Sequence, residues 1–113
     1  MIITTDFGRI EISEAALIEF VGEVVRQTRG LSEMVPRNLS ENLAGLLGIE
    51  GRNRGVAIRM HDEGLRVELS MQFPSGSVIT PVVVEVADKL REELASRLQI
   101  NLYELRIHTA LVS

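Results

Sequence analysis

An unbroken alternation runs from Leu65 to Phe73: Leu65, Val67, Leu69, Met71 and Phe73 fall on one side, Arg66, Glu68, Ser70 and Gln72 on the other. Successive side chains of a strand point to opposite faces, so this period predicts a strand with one dry and one wet surface. Upstream, Val56, Ile58 and Met60 alternate with Ala57, Arg59 and His61. Asp62-Glu63-Gly64 lies between the two runs and supplies turn chemistry, which predicts an antiparallel hairpin. Gly8-Arg9-Ile10-Glu11-Ile12 predicts a short first strand, and Tyr103, Leu105, Ile107 and Leu111 against Glu104, Arg106 and His108 predict a last one.

Between these strands the period changes to that of helices. Ser13 stands at an N-cap position followed by Glu14, and Leu17, Phe20, Val21, Val24 and Val25 form a stripe opposite Glu19, Glu23, Arg26 and Gln27, with Gly30 as the stop signal. A shorter stripe of Leu39, Leu43, Leu46 and Leu47, broken before by Pro36 and closed by Gly48, predicts a small helix that caps the core. Thr80-Pro81 reads as an N-cap with proline at the first helical position. The valines that follow are β-branched, but Val83, Val86, Ala87, Leu90, Leu94 and Leu98 carry the longer helical period, with Glu85–Lys89 and Glu93–Arg97 as i,i+4 pairs. The order β-α-(α)-β-β-α-β predicts an α+β fold: a two-layer sandwich in one domain, residues 1–113, with helices on the dry side of a sheet. A ferredoxin-like split βαβ is the simplest topology for it.

Composition narrows the functional classes. Twelve basic against sixteen acidic residues leave a net charge of −4, which repels phosphate backbones and anionic lipid, and three Phe, one Tyr and no Trp provide little for stacking bases. Nucleic acid is therefore not an expected partner. No apolar run approaches the roughly 18 residues of a membrane-spanning helix, the amino terminus lacks the features of a secretory signal, and the absence of cysteine fits a reducing compartment. These features predict a cytoplasmic protein without a direct membrane span.

Candidate chemistry is sparse. The wet side of the sheet is expected to collect Arg9, Glu11, Arg59, His61, Arg66, Glu68, Gln72, Glu104, Arg106 and His108, whose interleaved signs favour cross-strand ion pairing. His61 and His108 share that side, but their strands are expected at opposite edges, too far apart for one metal ion. Gly51-Arg52-Asn53-Arg54-Gly55 is the one local concentration of positive charge; Arg52, Asn53 and Arg54, with Arg66 and Arg106, are the candidates for binding a partner or an anion. Without the Lys-Ser/Thr ending of a P-loop, that loop reads more simply as a surface connector. Ser75-Gly76-Ser77 precedes a helix start, where backbone amides can take an anion. No nucleophile elbow or paired acid and base is present, and no cofactor or metal site is expected.

Several stretches in order resemble the bacterial alkaline-shock and general-stress protein family. They are Gly8-Arg9-Ile10-Glu11-Ile12-Ser13 leading into an aliphatic helix, Arg29-Gly30-Leu31, Asn42-Leu43-Ala44-Gly45-Leu46-Leu47-Gly48, Arg54-Gly55-Val56, and the final valine-rich helix and alternating strand. Pro74-Ser75-Gly76-Ser77 and Ser32-Glu33-Met34-Val35-Pro36 depart from the family pattern, which has a tyrosine-glycine turn and a glycine-rich stretch there. The resemblance implies a small cytoplasmic protein of envelope stress and envelope homeostasis, non-enzymatic, associated with a protein partner such as an integral membrane anchor. An exposed edge strand adds the expectation of a homo-oligomer. The alternatives are a small anion- or ligand-binding regulatory domain, an RNA-binding sheet, and an acylphosphatase-like enzyme sharing only the fold.

Overall fold

The computed structural model describes residues 2–28 and 55–112. The short helix expected around Ser40–Gly48, the Gly30 stop signal, and Arg52, Asn53 and Arg54 lie outside the described residues. The elements are β1 (Ile2–Thr5), β2 (Gly8–Glu11), α1 (Glu14–Arg26), β3 (Val56–His61), β4 (Gly64–Pro74), α2 (Thr80–Glu93), a π-helical turn continuing it (Leu94–Leu98), and β5 (Leu102–Val112).

The alternating run forms the central strand of a three-stranded sheet in the order β3-β4-β5. Leu65, Val67, Leu69, Met71 and Phe73 are all buried on its dry side, as the period requires. The β3–β4 hairpin forms as predicted, with Ile58 opposite Val67, Arg59 opposite Arg66 and His61 opposite Gly64. Gly64 adopts φ 145, a region open to glycine, and this lets the chain re-enter β4 directly after the turn.

Helices roof the dry side. Ser13 caps α1, its Oγ accepting the Ala16 amide at 3.1 Å, and Leu17, Val21, Val24 and Val25 are buried, with Phe20 half-buried beside them. The helix ends at Arg26: the Gln27 amide donates to the Glu23 carbonyl at 3.0 Å, and the buried Thr28 hydroxyl donates to the Val24 carbonyl at 3.0 Å. Along α2 and the π-helical turn that continues it, the buried row is Val82, Val86, Leu90 and Leu94, a strict four-residue spacing, with Val83 and Leu98 at its margin. That helix begins one residue earlier than expected. Thr80 is its first residue rather than its cap, and the Ile79 carbonyl accepts the Val82 and Val83 amides, with no side-chain cap. Glu93–Arg97 forms at 3.5 Å, but Lys89 reaches forward to Glu93 at 3.2 Å instead of back to Glu85.

The α+β class and the helix-on-sheet layering hold, while the split βαβ strand order does not. That order would insert the first strand between β4 and β5, yet β5 pairs with β4 directly and in parallel. The strand expected first, β2, turns back on Ile2–Thr5, four β-branched residues that favour a strand but do not alternate, and forms a separate two-stranded antiparallel hairpin. Local pairing wins because only Asp6 and Phe7 separate the two strands, and Gly8, at φ 122, accommodates the turn. All of β2 is exposed; Ile12, just beyond it, is what packs against the core. Arg9 and Glu11 consequently leave the polar face on which they were expected.

Candidate functional site

The polar face of β3-β4-β5 gathers most of the charged side chains singled out in the sequence. Pairing across the strands sets them in rows: Arg59, Arg66 and Glu104 in one, Ala57, Glu68 and Arg106 in the next, then Ser70 and His108. Arg66 Nη2 contacts Glu104 Oε2 at 3.2 Å, and Arg106 Nε donates to Glu104 Oε1 from the neighbouring row. His108 Nε2 lies 2.7 Å from Glu68 Oε1. The interleaved signs therefore do produce cross-strand pairs. Both carboxyls are held below the usual glutamate range, Glu68 chiefly by its hydrogen bond with His108 and Glu104 by those from Arg106 and Arg66.

Arg66 and Arg106 thus converge on one carboxylate. Arg59, directly opposite Arg66, makes no ion pair with the described residues. Two shallow depressions adjoin on the face at Ala57 and Glu68, which line both, and together make a groove over the small side chain of Ala57; Arg59 and Arg66 line one end, and Gly55, Ser70 and His108 the other.

Beyond Arg59, the His61 ring stacks on Tyr103 with centroids 4.2 Å apart and planes 3° from parallel. The period alone places Tyr103 on the dry side. A register shift between Leu65 and Arg66 gives β5 an extra residue, so Leu102 takes the dry position opposite Leu65 and Tyr103 turns to the polar face. The corner is tied down locally. The Glu63 amide donates to His61 Nδ1 at 3.2 Å, Asn101 Nδ2 donates to the Glu63 carbonyl at 2.7 Å, and the Leu65 amide donates to the Asn101 carbonyl at 2.8 Å. Acceptance of that amide leaves the proton of neutral His61 on Nε2.

His61 and His108 lie on the two strands that flank β4, each with its own partner. No three acidic or imidazole side chains among the described residues converge to hold a metal ion. At Ser75-Gly76-Ser77 the Ser77 hydroxyl and amide both donate to the Pro74 carbonyl, at 2.5 and 3.1 Å, so these donors serve the turn. No helix among the described residues is long and apolar enough to cross a membrane.

From the sequence, Arg59 belongs only to a solvated surface. Its opposition to Arg66 is nonetheless readable there, because the two are equidistant from the Asp62-Glu63 turn. The Tyr103 stack is not, since nothing in an alternating run marks where a bulge will fall.

Residues 2–113 match the model of a protein family described as having a cell envelope-related function. It is the alkaline-shock and general-stress family that the ordered motifs resemble. The chain is also similar to the uncharacterized protein YqhY of Bacillus subtilis (strain 168), 22% identical over 104 residues, covering 92% of this chain and 76% of that protein. No solved structure matches.

Proposed function

We propose, since the chain belongs to the alkaline-shock protein family and that family serves the cell envelope, that it acts in envelope stress and homeostasis through protein association rather than catalysis. The family match across residues 2–113 carries this reading. The chemistry of the polar face supports it: among the described residues, the two carboxyls with shifted titration, Glu68 and Glu104, are shifted down, the opposite of what a general acid working near neutrality needs. Interleaved charges on an exposed sheet suit recognition of another protein surface, where complementary charge sets register and partner choice. In this reading the protein works in the cytoplasm, assembles with itself, and reaches the envelope through a protein partner such as an integral membrane anchor.

Two measurements test this. Capture of the chain from native cells with the membrane fraction included should recover envelope proteins, and light scattering after size exclusion should find a dimer or larger assembly. A monomer at every concentration up to the millimolar range, together with an envelope fraction that retains none of the chain, would refute the proposal.

A further inference from the structure

Among the described residues, the polar face is short of negative charge around Arg59. Glu104 is shared by Arg66 and Arg106, and Glu68 is taken by His108. Arg59 is left opposite Arg66, and like charges directly across an antiparallel pair are unfavourable unless a counter-charge joins them. In a chain of net charge −4 this is a local surplus of guanidinium at the end of a groove. The groove's depth comes from Ala57, whose methyl leaves a gap between the long side chains around it. In the row beyond Arg59 stand the stacked rings of His61 and Tyr103, fixed by the Asn101 and Glu63 hydrogen bonds and so organised before any ligand arrives.

We infer that the groove over Ala57 docks an extended acidic peptide segment of a protein partner, with a carboxylate of that segment bridging Arg59 and Arg66. Guanidinium groups bind carboxylates through paired N–H donors, and a carboxylate here supplies the counter-charge the row lacks. A nucleic acid strand is disfavoured, because it carries a phosphate at every residue and these would lie across Glu68 and Glu104, whereas a peptide can set one carboxylate at the arginines and uncharged residues beside the two glutamates; only one ring stack is present among the described residues. The inference rests on the protein-association reading above and adds where the partner binds and what it carries.

The full chain is titrated into a fluorescein-labelled decapeptide of glutamate and glycine, with a lysine–glycine decapeptide and a single-stranded RNA decamer as comparisons. The glutamate peptide should bind best. Arg59→Glu should weaken it at least about tenfold, whereas Arg91→Glu, the same charge change at an exposed position on α2, should alter it less than about twofold. Ala57→Leu fills the groove floor without changing charge and should also weaken binding. Arg59 and Ala57 are both exposed, so circular dichroism should show each variant folded. Absence of binding at millimolar protein, equal losses from Arg59→Glu and Arg91→Glu, or tighter binding of the RNA would overturn the inference. Capture from cells separates the two readings. An Arg59→Glu chain that still recovers the wild-type envelope partners removes the groove and leaves association standing; a wild-type chain that binds the peptide but recovers no envelope protein does the reverse.

Discussion

Replacing Gly64 by alanine should be the most damaging single-methyl change at the corner of the sheet. The backbone there has φ 145, where a residue with a Cβ carries about 1–3 kcal/mol of strain. The added Cβ would stand 2.3 Å from the Asn101 carbonyl oxygen and 3.1 Å from its carbon, well inside contact distance. That oxygen accepts the Leu65 amide at 2.8 Å, so it cannot withdraw without weakening a hydrogen bond worth about 1 kcal/mol. Together these give a loss of about 2–4 kcal/mol, or roughly 8–17 °C in melting temperature for a domain of this size. Gly76→Ala is the control: φ is 88 there and nothing lies within 4 Å of the added carbon, so it measures dihedral strain alone at about 1 kcal/mol. Urea unfolding followed by circular dichroism reads both, and Tyr103, the chain's single tyrosine in the absence of tryptophan, reports locally by its emission. Equal losses from the two variants, with Tyr103 emission unchanged in Gly64→Ala, would refute the close approach of the hairpin turn to Asn101.

Further outcomes follow from the same geometry. Glu68 and Glu104 have folded-state values below those of the unfolded chain, so the unfolded state binds more protons between the two. Their contribution is present above the ordinary glutamate range and is lost as pH falls through the lowered folded values. Urea midpoints between about pH 6 and pH 3 should therefore fall less steeply in the Glu68→Gln, Glu104→Gln double variant than in wild type, and parallel curves would contradict the pairing. Gln99 closes the π-helical turn at φ 56, so Gln99→Gly should stabilise the protein by about 0.5–1 kcal/mol in the same unfolding assay. Ser13→Ala removes the bond to the Ala16 amide and should cost about 1 kcal/mol, whereas Ser13→Asp should retain most of it.

The parts of the fold legible in the sequence are those governed by local period. Leu65 to Phe73, the stripe from Leu17 to Val25 and the hairpin across Asp62-Glu63-Gly64 are readable because each is fixed by which face of one element is buried. Strand order is not. Whether β5 lies beside β4 or beside an earlier strand depends on contacts between distant segments, and the pairing of β1 with β2 turns on Ile2–Thr5, a β-branched run whose propensity favours a strand but whose lack of alternation names neither a face nor a partner. The same division holds for the candidate surface. The residues that make it polar are visible, while the shared use of Glu104, the position of Arg59 outside the ion pairs and the turning of Tyr103 require the register of three strands. The helix start at Thr80 shows a smaller version of the effect, since the first turn closes on the backbone carbonyl of Ile79, an acceptor that any residue at that position supplies.

The direct parallel pairing of β4 with β5 also orders the way the protein is made. β3 and β4 join across a two-residue turn, but β4 must wait for the whole of residues 75–101 before its other side can close. During synthesis a strand whose whole dry side is apolar therefore emerges with a bare edge, and in that interval it is open to pairing with another nascent chain. Changes that slow the return of β5 should raise aggregation during expression well before they lower the stability of the finished protein.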